Sequence, residues 1–151
     1  MFHIKNYRFG FDIWGLLLFL AIMCPNFIWF AVPAPNDILR SESVTQTVDM
    51  AAQISQVIMV ASLCVLINIS HRKPMNRKFS VAVAMFCALY FLGWIFYYTG
   101  AVNGVVILDL CAAPCMAFLL FSGARKNMVA LVFAGIFMVC HLIYGMVNYI
   151  L

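Results

Sequence analysis

Charge is what this sequence lacks. Of its 151 residues, 9% are Asp, Glu, Lys or Arg and 66% are hydrophobic. Mean hydropathy is +1.03. A soluble domain of this length needs a far more polar shell to cover its core. Recognisable chemical motifs are missing too. There is no glycine-rich phosphate loop, no His-x-x-x-His, no Glu-x-x-His and no ordered Ser, His and Asp set. These absences leave no catalytic residue, metal site or cofactor that can be named from spacing. With one histidine inside the apolar runs, His141, a bis-histidyl haem is excluded.

Cysteine is present, but not in a disulfide or metal pattern. Cys24, Cys64, Cys87, Cys111, Cys115 and Cys140 all fall inside apolar runs. Buried cysteine behaves as a small hydrophobe, and Cys111 and Cys115, one turn apart, read as packing. The formal charge of +4 does not imply nucleic acid, because the Lys and Arg residues sit in short stretches between apolar runs. That placement fits membrane topology.

Long apolar runs are what is abundant. About 20 apolar residues cross a hydrocarbon layer roughly 30 Å thick. Five such runs are expected as helices, over 11–33, 49–69, 79–98, 105–123 and 128–150. The fold class is therefore an all-α, five-transmembrane-helix bundle in one membrane domain. The lead 1–11 with its following LLLFLAIM resembles a signal peptide, with Val32-Pro33-Ala34 where cleavage would fall. The run is too long for a signal h-region, and Trp14 and Trp29 stand where interfacial anchors belong. Residues 34–48 form the longest polar stretch, a loop or short surface helix, with Asp49 expected to cap the second helix. Pro25 and Pro114 are expected to bend the first and fourth helices. Asn26 could serve the carbonyl that Pro25 leaves free.

The loops give orientation. Lys5, Arg8, Arg72, Lys73, Arg77, Lys78, Arg125 and Lys126 share one side of a five-span chain, and Arg40 alone falls on the other. The positive-inside rule puts the N-terminus in the cytoplasm and the C-terminus outside. The compact loops fit the plasma membrane of a bacterium. At 1.5 Å per residue, polar side chains gather in the outer half: Asn26, Asp49, Gln53, Gln56, Tyr97, Asp109 and His141. The inner half is apolar apart from Ser62, Asn68 and Ser122.

An ionisable residue in a span is costly and usually faces a bundle interior. Asp109 and His141 are expected to share a cavity and handle a proton or cation. Asn26, Gln53, Gln56 and Tyr97 would hydrogen-bond a substrate; were the protein an enzyme, His141 with Asp109 or Asp49 would serve as acid and base. Each also has a structural reading: a capped acid, a satisfied histidine, an interface anchor. The Pro25-Asn26 pair resembles the Pro-Gln signature of small sugar-carrier bundles, whose span count differs, and no residue role follows from it. Pro25 and Pro114 sit centrally in helices of opposite direction, as an inverted repeat would have them, though their flanks do not match.

The function expected is a small-solute or proton-coupled carrier, or a sensor, with an outward-facing polar pocket. The alternatives are an enzyme acting on a lipid or lipid-linked substrate at the outer leaflet, or a non-catalytic subunit of a membrane complex. The partners expected are the lipid bilayer, a small-molecule or lipid ligand, and a second copy or partner membrane subunit. With eight basic residues against one, cysteines introduced after Lys126 and after Leu151 should label from opposite faces of the membrane. Labelling of both from one face would refute the orientation.

Overall fold

In a computed structural model, residues 6–71 and 75–151 are described. Lys5, Arg72 and Lys73, counted above for orientation, lie outside the described residues. The chain is 77% helical. Its long helices are α1 (Ile13–Ala31), α2 (Gln46–Val65), α3 (Arg77–Tyr98), α4 (Gly104–Ala124) and α5 (Met128–Tyr149). All five are long and apolar enough to cross a membrane, which suggests a multi-pass membrane protein.

The helix starts follow capping chemistry. Asp12 accepts from the Trp14 amide at 3.0 Å and Asn76 from Lys78 at 3.1 Å. Asn103 accepts from Val105 and Val106, and Asn127 from Ala130. Each side chain satisfies amides that a helix start leaves unpaired. The start of α2 departs from expectation. The helix begins at Gln46, and Asp49 sits within its first turn. Its carboxylate accepts from the Thr45 hydroxyl at 2.9 Å rather than from a backbone amide.

A larger correction concerns the end of α2. The helix stops at Val65, not near 69, because Leu66–Asn68 forms a strand, β2, antiparallel to β1 (Tyr7–Phe9). The register pairs Tyr7 with Asn68 and Phe9 with Leu66. The amides of Gly10 and Asp12 continue the ribbon to the carbonyls of Val65 and Cys64, both at 2.9 Å. Those carbonyls end a helix and have no partner within it, so the lead segment supplies what α2 lacks. Tyr7 then ties the ribbon to the α4–α5 turn. Its hydroxyl donates to the Lys126 carbonyl and accepts from the Met128 amide.

Helix α4 is the centre of the bundle, packed between α3 and α5, while α2 packs on the far side of α5. Just over half of its apolar window is buried (56%), against 22–33% for the other helices. Small residues make this possible: Ala113, Cys115 and Ala117 on α4, and Ala130 and Ala134 on α5, are all buried. Cys111 of α4 fits against Gly145 of α5, where an added Cβ would stand 2.5 Å from its sulfur.

Helix α1 touches the others least and leans across α2, α3 and α4. Pro25 and Pro114 both lie inside unbroken helical segments. The carbonyl freed by Pro25 is that of Ala21. Asn26 instead donates to Ile22, at 3.1 Å, which corrects the expected repair. The firmest contact of α1 is Gly15, where an added Cβ would meet the Leu63 carbonyl oxygen at 2.8 Å. That neighbour is backbone and cannot rotate away. Gly123, by contrast, has nothing within 4 Å. Gly15→Ala should therefore cost about 1–3 kcal/mol as an overpacking change. Gly123→Ala should be neutral or gain up to about 1 kcal/mol of helix propensity. Thermal unfolding of both variants in detergent checks the pair, and equal melting temperatures would contradict it.

Candidate functional site

Two polar clusters lock the loop between α1 and α2 over one end of the bundle. The first is centred on Asp37. Its carboxylate accepts from the Trp29 indole at 2.8 Å, the Tyr97 hydroxyl at 2.9 Å, Arg40 Nε at 2.7 Å and the Ala34 amide at 3.3 Å. Arg40 also donates to the Trp29 carbonyl and lies 4.8 Å over its ring. The Tyr97 hydroxyl in turn accepts from the Leu39 amide. The loop is thereby clamped to the ends of α1 and α3.

The second cluster joins α2 to α5. Asn148 donates to the Thr45 hydroxyl at 2.8 Å and accepts from the Val44 amide at 2.8 Å. The Thr45 hydroxyl in turn donates to the Asp49 carboxylate. The Tyr144 and Tyr149 hydroxyls meet at 2.5 Å beside it. These bonds hold the first turn of α2 against the last turns of α5.

Between the clusters lies a cavity of about 390 Å³, lined by all five helices. Its polar wall is made of Asn26 on α1, Asp49, Gln53 and Gln56 on α2, and His141 on α5. The spacing on α2 explains why three side chains arrive together: positions four and seven apart share a helix face. Asn26 is fixed by its second bond, to the Tyr90 hydroxyl at 2.7 Å. The His141 imidazole stacks on Phe137, 5.0 Å between centroids, and on Tyr144, 5.8 Å. Met23, Trp29 and Phe30 close the α1 side, and Pro114 and Phe118 line the α4 side. Among the described residues, Asp49 is the one acidic side chain in the lining, and no Lys or Arg joins it.

The structure therefore gathers Asn26, Asp49, Gln53, Gln56 and His141, and leaves two of the expected residues out. Tyr97 is buried and spent on Asp37 and Leu39. Asp109 faces α3, where its carboxylate occupies the space beside Gly93. The expected Asp109–His141 pair is corrected on helical phase. Cys111 is the α4 residue that meets α5 at Gly145. Two residues earlier is about 200° around the helix at 3.6 residues per turn, so Asp109 points away from α5. Equal depth in the bundle was not enough to bring the two groups together.

Several contributors escape a reading of the sequence. Tyr90 and Tyr144 look like belt aromatics until their partners are known. Asp37 looks like a loop acid; its one advance signal is Arg40, three residues on in a Pro-rich turn. Comparison with protein-family models, with curated proteins and with solved structures finds no match to this chain.

Asp37 gives a measurable consequence. Burial alone would raise its carboxyl, but the hydrogen bonds from Trp29, Tyr97, Arg40 and Ala34 outweigh this and hold it below its ordinary 3.8. A carboxyl depressed by folding contributes stability that is complete above its unfolded value and lost as pH falls through its folded one. Asp37→Asn should melt below the wild type at neutral pH, and the gap should close on acidification towards about pH 2, below the usual carboxylate range. A gap that stays constant with pH would show that the carboxylate charge is not what holds the loop.

Proposed function

We propose that this protein is a multi-pass protein of the plasma membrane that binds a small organic cation or amine, as a carrier or sensor. The observation that carries this reading is the convergence of two glutamines, an asparagine, an imidazole and one carboxylate on a cavity lined by five helices. A volume of about 390 Å³ suits a small ligand, since such sites run from roughly 300 to 1,000 Å³. The aromatic face of Phe30 suits an ammonium group, and Asp49 supplies the counter-charge. By the distribution of basic residues, the cavity end faces outside.

The lower part of the bundle supports a site with one mouth. Towards the ribbon end, Leu18, Met59, Leu63, Phe118 and Phe121 are buried together. A carrier would need to open this apolar plug, and α1, the least packed helix, is the element suited to move. Acid–base catalysis is less well supported. The His141 ring is stacked between two aromatics, and no hydrogen bond joins it to Asp49 among the described residues.

Choline and neutral polyols are the probes that test this reading, by thermal shift of the detergent-purified protein. Choline should raise the melting temperature and polyols should do so weakly. Asp49→Asn should weaken choline binding about 10-fold or more, the scale of a lost charge-assisted contact. Loss of the aromatic face in Phe30→Leu should weaken it less. Indifference of the wild type to choline, or equal binding by Asp49→Asn, would overturn the proposal. Counterflow in liposomes separates a carrier from a sensor.

A further inference from the structure

At the opposite end of the bundle, Arg125 stands between two cavities that nothing above uses. One, about 530 Å³, is an apolar groove between α1 and α3 lined by Trp14, Leu17, Leu18, Val83 and Phe121. The other, about 400 Å³, is the more polar of the two, with Arg8, Asp12, Asn68 and Asn127 among apolar side chains. Trp14 and Arg125 line both. We infer that this pair of cavities is a binding site for one anionic phospholipid, with an acyl chain in the groove, the phosphate at Arg125 and the headgroup in the polar cavity.

Three observations support this occupant. First, Arg125 is incompletely satisfied. Its Nε is buried without a hydrogen-bond partner among the described residues, forming only a long ion pair, 3.4 Å, with Asp12 Oδ2. Its Nη2 reaches Asp12 Oδ1 only at 3.5 Å, while that oxygen already accepts from the Trp14 amide. A buried donor without an acceptor is costly, and a phosphate oxygen would supply one. Second, charge at this end favours an anion. Arg8, Arg77, Lys78, Arg125 and Lys126 stand there against Asp12 alone among the described residues. Third, the chemistry changes along the site, from a groove of mainly aliphatic and aromatic side chains to a cavity where Arg8 and Arg125 stand among them. Basic pockets between membrane helices on the cytoplasmic side suit anionic headgroups. A free phosphate would leave the apolar groove unexplained.

This inference needs membrane residence but not the cation reading of the other cavity, so either can fail alone. Native mass spectrometry of the full chain, with phosphatidylglycerol or phosphatidylcholine added, tests it. Phosphatidylglycerol should be retained preferentially as a single adduct. Arg125→Gln should reduce its affinity about 5- to 10-fold, the scale of one basic group at an anionic lipid. Lys78→Gln, exposed at the same end and outside both cavities, should leave it unchanged. Ser80→Phe, which narrows the groove without altering charge, should also reduce retention.

The wild type gives a reading that no folding defect can spoil. Trp14 fluorescence should be quenched more by phosphatidylglycerol brominated on its acyl chains than by brominated phosphatidylcholine at the same low fraction. Trp14→Phe should abolish the difference. Equal retention and equal quenching by the two lipids would overturn the proposal. So would equal losses in Arg125→Gln and Lys78→Gln, which would mark diffuse attraction to a basic surface.

Discussion

Close approach of helix backbones around α4 is the constraint on which this bundle depends. Among lipid tails, apolar side chains gain little by leaving one hydrocarbon surface for another, so association rests on tight van der Waals contact and a few hydrogen bonds. Ala113, Cys115 and Ala117 on α4 and Ala130, Ala134 and Gly145 on α5 keep those surfaces narrow. Gly93 does the same on α3, with the unusual result that the space it vacates is taken by a carboxyl group, Asp109. Three helices become one rigid slab, and α2 is added to it through α5.

Helix α1 is held differently, and the candidate cavity exists because of it. At one end Gly15 lies against the Leu63 carbonyl, and at the other Trp29 is bound through Asp37 to Tyr97. Between these ends its contacts are with side chains of mixed character, Asn26 with Tyr90 among them. The second latch, Asn148 with Thr45 and Asp49, holds the opposite wall. The polar groups of the 32–45 end thus divide between those that bind the loop down and those left pointing into the cavity.

The five helices were legible because an apolar run near 20 residues has few other uses, and the helix boundaries mostly fell within a few residues. The exception is instructive. Leu66–Asn68 is as apolar as the helix before it, and it turns into a strand only because Tyr7–Phe9 lies alongside. That partner is remote in sequence and carries no signal of the pairing. The site was legible in composition and depth but not in rotation. Gln53, Gln56 and His141 line the cavity as their places on the polar faces of their own helices suggest. Asp109 was misassigned because its orientation depends on which neighbour α4 turns towards it, and Tyr97 because its partner, Asp37, comes from a loop.

The ribbon also sets an order of assembly. Tyr7–Phe9 cannot pair until Leu66–Asn68 has been made, and Tyr7 cannot complete its bonds until Lys126 and Met128 follow. At about 5–20 residues per second of synthesis, the lead segment waits some seconds for β2 and longer for the α4–α5 turn. Until the lead segment pairs, the carbonyls of Cys64 and Val65 must be served by water. The bonds of Tyr7 to the α4–α5 turn are therefore completed only after four of the five helices have been made.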